Sequence, residues 1–253
     1  MSTVQIQPQW REMDKWTALA KRQGLSFEAF DLTLLQTSDD TALFEQAREA
    51  YRQSGLVTSL HGAFIDINPA SGDAVLRRLS RARCEESCMT AQALGADTVV
   101  FHSSCFPFLR GSFVERWAED CAEFYRTLAQ RYNLTVCVEN SMDLDPTPLK
   151  ELMRRVQSER VAVCLDIGHA NYSDASVADW FAALEGKIRY LHLSDNGGRF
   201  DEHLPLGCGT VDWKAVSALW QAAGSVEKIT LEVGAESEQS LAFLRENNLF
   251  GQG

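Results

Sequence analysis

Short apolar or β-branched runs alternate with longer amphipathic stretches along nearly the whole chain, giving about eight strand–helix pairs. A strand that must return parallel to its predecessor needs a crossover of a dozen residues or more, so this alternation dictates repeated βα units around a parallel sheet. The strand candidates are residues 4–6, 26–32, 56–61, 98–102, 135–139, 161–166, 188–193 and 229–232. The helical stretches between and after them are residues 13–23, 41–54, 74–94, 112–131, 148–157, 177–184, 213–222 and 238–247. Gly24, Gly55, Gly95 and Gly224 each follow a helical stretch and precede a strand, the position where a left-handed cap ends a helix. Leu76, Leu79, Cys84 and Cys88, and likewise Phe124, Leu128 and Tyr132, have the spacing of buried helical stripes. Eight units in 253 residues match the ~250 residues typical of a (β/α)8 TIM barrel, and no linker interrupts them. The expectation is one domain over residues 1–253.

The polar residues sort onto one end of that barrel. All five histidines, His61, His102, His169, His192 and His203, fall at or just beyond a strand end, beside Glu139, Asp166, Asp201 and Glu232. In a parallel barrel, the carboxyl ends of the strands and the loops after them form the active rim. Imidazole and carboxylate converging there suit Zn²⁺, Mn²⁺ or Fe²⁺, with one to three ions per chain. The segment Val161-Ala-Val-Cys-Leu-Asp166-Ile-Gly-His169 is the most specific signal, because a buried strand ending in Asp must partner that charge. The next helical stretch starts near residue 177, too far on for Asp166 to be its cap. Asp201 and His203 belong to a loop long enough to carry function, and an extended Asp-x-His directs both side chains the same way. Glu139 and Glu232, on opposite sides of the barrel mouth, can hold a metal and act as base and acid on a substrate. Ser103, Ser104, Asn140, Asn171 and Arg199 adjoin these positions and can reach hydroxyl or phosphate groups.

Charge and cysteine usage narrow the partners. A net charge of −11 disfavours duplex DNA, whose binding relies on Lys and Arg neutralising phosphates. No apolar run approaches the ~20 residues that span a bilayer, and the first thirty residues lack a secretory pattern, so the expected location is the cytoplasm. Seven cysteines without CxxC spacing read as reduced, mostly structural thiols, with Cys137 and Cys164 inside strands. No P-loop, dinucleotide fingerprint or nucleophile elbow is present.

Over about residues 55–235 the chain resembles the xylose isomerase-like TIM-barrel superfamily. The likeness rests on Leu60-His61-Gly-Ala, Val100-Phe-His102, Val138-Glu139-Asn140, Leu165-Asp166-Ile-Gly-His169-Ala, Leu191-His192-Leu-Ser-Asp195, Asp201-x-His203-Leu-Pro-Leu-Gly and Leu231-Glu232. In the sugar isomerase and epimerase branch, the resemblance implies one divalent ion on Glu139, Asp166, His192 and Glu232, two proton-transferring glutamates, and His169 against substrate. In the endonuclease IV branch it implies three zinc ions, the same four positions being joined by His61, His102, His169, Asp201 and His203. Cys208 stands where the family has Glu in a Gly-Glu-Gly turn. The chain is therefore expected to be a metal-dependent isomerase or epimerase of a small sugar or sugar phosphate, compatible with a homo-oligomer, with a multinuclear hydrolase of phosphodiesters or amides as the alternative.

Overall fold

The computed structural model describes residues 2–36 and 40–252. Eight strands, β1 (Thr3–Ile6), β2 (Ser26–Ala29), β3 (Val57–His61), β4 (Thr98–His102), β5 (Thr135–Glu139), β6 (Val161–Asp166), β7 (Ile188–Leu193) and β8 (Lys228–Leu231), pair in sequence order. All pairings are parallel, and β1 pairs with β8 to close the barrel. Around them run α1 (Met13–Gln23), α2 (Asp31–Gln36), α3 (Thr41–Ser54), α4 (Ala74–Leu94) and α5 (Ser112–Tyr132). The ring continues with α6 (Thr147–Val156), α7 (Ile167–Tyr172), α8 (Val177–Ala183), α9 (Trp213–Ala223) and α10 (Ser237–Glu246). The (β/α)8 barrel expected from the alternation is the observed fold. No described helix is long and apolar enough to cross a membrane.

The four anticipated helix stops are left-handed caps, with φ of 63–77° at Gly24, Gly55, Gly95 and Gly224. Three expectations need correction. The second strand ends at Ala29, short of residue 32, because Asp31 opens α2 and its Oδ2 accepts the backbone N–H of Trp10. Leu76 and Leu79 are each 57% exposed, whereas Cys84 and Cys88 are buried. At 21 residues, α4 is about 31 Å long, and its buried face begins only at Ser80, beyond Leu76 and Leu79. The buried face instead uses Ser80, Cys84, Ser87, Cys88 and Ala91, small residues that let the helix lie close to the sheet. Third, Asp166 does cap a helix. The short α7 begins directly after β6, and Asp166 Oδ1 accepts the His169 N–H at 2.6 Å.

Six of the seven cysteines are buried and all seven are free. Burial pushes the Cys137 thiol up to about 12, in keeping with an apolar structural role.

Candidate metal centre and active site

Strand register delivers the key groups in pairs. His102 lies beside Glu139 across β4 and β5, and Asp166 beside His192 across β6 and β7. Glu232 follows β8 immediately and is held by its N–H to the Leu193 carbonyl at 3.0 Å. His61 ends β3, where the next residue must be glycine: a Cβ at position 62 would lie 2.2 Å from the Phe101 ring. That close approach lets the Gly62 N–H reach the Val100 carbonyl at 2.7 Å, fixing the strand end that carries His61.

Glu139, Asp166, His192 and Glu232 each direct a ligand atom into one space, these atoms lying within 4.8 Å of one another. All four side chains are buried. His192 Nδ1 is 3.3 Å from Glu139 Oε2 and 3.2 Å from Glu232 Oε1. Glu139 Oε2, Asp166 Oδ2 and His192 Nδ1 have no hydrogen-bond partner. Buried polar atoms are almost always satisfied, so three orphans aimed at one point mark the place of a missing partner. Oxygen and imidazole donors in this number fit Zn²⁺, Mn²⁺ or Fe²⁺. Two overlapping groups, His61–His192–Glu232 and His61–His102–Glu139, extend the cluster toward β3 and β4.

The two glutamates differ electrostatically. Burial opposes ionisation of Glu139, but the surrounding imidazoles of His192, His102 and His169 hold its carboxyl well below the ordinary carboxylate range. Burial raises Glu232 to about 7, with His192 opposing the shift and repulsion from Glu139, Asp166 and Glu28 adding to it. Burial likewise keeps Asp166 raised, with Glu139 adding to it. His102 is pushed down to about 3 by burial, despite Glu139, and by three neighbouring imidazoles; it stays neutral and able to donate a lone pair.

The other predicted ligands form a second layer above this floor. His169 Nδ1 donates to the Asn140 carbonyl at 2.7 Å, and His203 Nδ1 to the Glu232 carbonyl at 2.7 Å. Both Nε2 atoms then face Asp201 Oδ2, at 3.3 and 3.0 Å. The backbone acceptors thus fix both rings with Nε2 inward, the arrangement of metal-bound histidines. His203 sits at φ 48°, so Asp201-x-His203 is not extended as anticipated. Its side chains nevertheless meet because Leu204 bridges back to Asp195 through paired backbone bonds of 2.8 and 2.9 Å. The bond to Asp201 raises His203 to about 10.

Asp195, quoted in the sequence only as part of a motif, organises this loop. Its Oδ1 accepts from the N–H groups of Asn196 and Val211, and its Oδ2 from Gly207 N–H and Trp213 Nε1. Gly209 passes so close that a Cβ there would sit 2.2 Å from Asp195 Oδ1. Cys208 is exposed, with Gln239 Nε2 3.6 Å from its sulfur.

Of the expected substrate contacts, His169 lines the cavity above the floor, while Asn140 is turned elsewhere. The Asn140 amide pairs with the backbone of Asp166, at 2.8 and 3.0 Å, and so locks the end of β6. Arg199 is exposed on the long loop and does not line the cavity. Asn171 binds Asn196 and Thr210, and Ser103 binds Asp143. The cavity has a volume of about 400 Å³ and is walled on one side by Phe30 and Phe64, whose rings stack 5.8 Å apart beside His61.

Sequence reasoning missed Gln7, Glu28, Phe30 and Phe64. Glu28 was the legible one: a charged residue between Phe27 and Ala29, inside a strand whose four residues are all buried. The criterion applied to Asp166, a charge that an apolar strand cannot hide, applies equally to it. Gln7 and the two phenylalanines carry no distinguishing local pattern.

Comparison with known proteins agrees with this fold. The chain is similar to a probable endonuclease 4 of Mycobacterium leprae, 26% identical over 209 residues that cover 78% of this chain and 81% of that one. It is also 26% identical over 186 residues to protein MJ1311 of Methanocaldococcus jannaschii, a match covering 68% of this chain but only 63% of that relative. Among solved structures, a Thermus thermophilus protein soaked with zinc chloride superposes with a TM-score of 0.79 at 24% identity, covering 100% and 99% of the two chains. The 3-keto-D-glucoside 4-epimerase of E. coli gives 0.72 at 17%, covering 97% and 100%. Residues 18–247 match the xylose isomerase-like TIM barrel family, and the chain belongs to that family.

Proposed function

We propose that this protein is a divalent-metal-dependent isomerase or epimerase of a small sugar or sugar phosphate, in which Glu139 and Glu232 transfer the protons. The observation that carries the reading is the convergence of two buried glutamates, Glu139 and Glu232, on one four-ligand floor, both facing His192 Nδ1 at 3.3 and 3.2 Å. Glu139 comes from the end of β5 and Glu232 from just beyond the end of β8, the placement that lets one carboxyl remove a proton while the other supplies one. Glu139, Asp166, His192 and Glu232 would hold the ion, which supplies polarisation of the substrate carbonyl oxygen when bound. Ionised Glu139 then accepts the proton of the carbon beside that carbonyl, and the electron pair left behind moves into an enediolate. Glu232 delivers a proton to carbon in return, so the substrate is neither oxidised nor reduced overall. His169 and the Phe30–Phe64 wall border the space where a substrate would lie, and a cavity of about 400 Å³ falls in the range of small-molecule sites, about 300–1,000 Å³. Epimerases of the same fold support the assignment.

One observation favours a second reading, a multinuclear hydrolase. Asp201 lies between inward-facing Nε2 atoms of His169 and His203, a set of donors that single-ion proton transfer does not need. The probable endonuclease 4 relatives point the same way. The net charge of −11 argues against duplex DNA as its substrate. The deciding experiment screens ketoses, aldoses and their phosphates in deuterated water, with product identity by NMR as the readout. Conversion of a sugar, with carbon-bound hydrogen exchanged or moved, is the expected result. Cleavage of an abasic-site oligonucleotide, a phosphodiester or an amide with no sugar converted would replace it with the hydrolase.

A further inference from the structure

Glu28 lies fully buried in β2, below the metal-ligand floor. Its Oε2 is 3.1 Å from His192 Nε2, on the far side of the ring from the Nδ1 that faces Glu139 and Glu232. Its Oε1 accepts from Gln7 Nε2 at 3.0 Å, and the same Gln7 nitrogen donates to Glu232 Oε1. Glu28 therefore touches two members of the floor, one directly and one through a single amide. The Tyr190 hydroxyl also donates to Oε2, and Thr230 Oγ1 lies 3.2 Å from it.

Satisfying hydrogen bonds alone does not require a charge here. One level down, the neutral amide of Gln5 performs that task, linking Ser59, Thr58, Tyr190 and Thr230. An ionised carboxylate with no exposure to water is costly unless it is paired. Glu28 is partnered on both oxygens, Oε2 by His192 Nε2 and the Tyr190 hydroxyl and Oε1 by Gln7 Nε2. A buried carboxylate 3.1 Å behind a ring whose front nitrogen has no partner has the layout of a carboxylate–histidine–metal relay. In such relays, the rear carboxylate fixes the ring orientation and makes the ligating nitrogen a stronger donor.

We infer that Glu28 is the positioning residue of the metal floor, holding His192 as its Nε2–H tautomer with Nδ1 free to ligate, and orienting Glu232 through Gln7. The inference rests on the metal-dependent reading above. Loss of such a rear partner commonly weakens metal binding about 10–100-fold.

The test measures Zn²⁺ affinity by competition with a chromophoric chelator, on the wild-type protein, Glu28→Gln and Glu28→Leu. Imidazole ¹⁵N spectra of the zinc-loaded proteins give a readout independent of turnover. Gln keeps an acceptor for Nε2–H but removes the charge, so affinity should fall about 10-fold with the His192 tautomer retained. Leu removes both, so affinity should fall about 100-fold, with the slowly exchanging Nε2–H signal lost or shifted. If Glu28→Leu does not fold, Glu28→Gln decides alone. Zinc affinity within twofold of wild type in a folded Glu28→Gln protein overturns the inference and leaves the function standing. Absence of binding by the wild-type protein removes the metal-dependent function and this inference with it.

Discussion

The floor of the site and the loop pair above it use the same chemistry, carboxylate against imidazole, but hold it differently. Glu139, Asp166 and His192 are strand residues fixed by the barrel ladder, and Glu232 follows β8 directly; none is more than 6% exposed. Asp201 and His203 sit on a loop, with side chains 36% and 42% exposed. The floor is preorganised by the fold and electrostatically crowded, since burial and neighbouring carboxylates raise both Asp166 and Glu232. The loop pair is satisfied internally and depends on Asp195 for its position. Where a group is anchored decides how much of its chemistry survives a substitution.

The largest expected effect tests that contrast directly. Glu139→Gln should lower kcat about 10²–10⁴-fold, as removal of a positioned acid or base commonly does, with the barrel intact by circular dichroism. Asp201→Asn should cost about 10-fold or less in the same assay, because its contact lies one layer above the proton-transferring pair. Equal losses would erase the distinction between floor and loop and favour the multinuclear reading. Elemental analysis of the two purified variants sharpens it: Asp201→Asn should keep a floor ion that Glu139→Gln has lost.

Next in size is the anchor of the loop. Asp195→Ala strands the N–H groups of Asn196, Gly207, Val211 and the Trp213 indole, and an unsatisfied buried donor costs about 1–3 kcal/mol. With some of these donors reaching water in the variant, the net loss should be about 3–4 kcal/mol by denaturant unfolding. Faster hydrogen exchange should be confined to residues 195–213, with floor zinc affinity little changed. Exchange that spreads into β6 and β7 would show that the two layers are one unit.

The two layers should also answer pH in different windows, both losing stability as pH rises. In metal-free protein, Glu232 has its pKa raised above the unfolded value to about 7, so its neutral form is favoured by folding. Stability should fall as pH rises from about 4.5 through 7, and zinc should restore it most above that window. His203 is raised to about 10 beside Asp201, so its contribution is complete below about 6.5 and is lost as pH rises through 10. Thermal unfolding of wild type, Glu232→Gln and His203→Gln across this range separates the two: Glu232→Gln should flatten the lower limb and His203→Gln the upper. A lower limb unchanged in Glu232→Gln would assign the floor's pH response to another group.

The same contrast explains what the sequence made legible. Strand periodicity, glycine stops and the residue types at strand ends are local signals, so the barrel and the floor residues could be read directly. Glu28 was passed over because attention went to strand ends, although a charge amid Phe27 and Ala29 is as local a signal as Asp166. The cap on α7 was missed because six residues, 167–172, are too short for helical periodicity to show. Leu76 and Leu79 misled because periodicity reports which face of a helix is apolar, not whether anything packs on it. Asp195 and Gln7 act only through partners distant in sequence, and no local rule isolates them.

A third carboxylate supplies the control, and the smallest expected effect. Asp143, near the rim, is buried like the floor residues, accepts from Ser103 Oγ and Ser141 N–H, and leaves Oδ1 without a partner. Unlike the floor residues, it belongs to none of the clusters within reach of one ion. Burial raises it to about 6, above its unfolded value of about 3.9. Its neutral form is therefore the one that folding favours: the penalty is absent below the unfolded value, grows as pH rises through 6, and is constant above. Asp143→Asn keeps an acceptor for the Ser103 and Ser141 donors and removes the charge. Relative to wild type, it should gain about 2 kcal/mol in unfolding free energy between pH 4 and pH 7.5, with no change on adding zinc. A zinc-dependent difference between the two proteins would place Asp143 in the electrostatic field of the floor and redraw its boundary. A zinc-independent gain would show that burial alone raises a carboxylate in this barrel, leaving the lowered pKa of Glu139 to its imidazole neighbours.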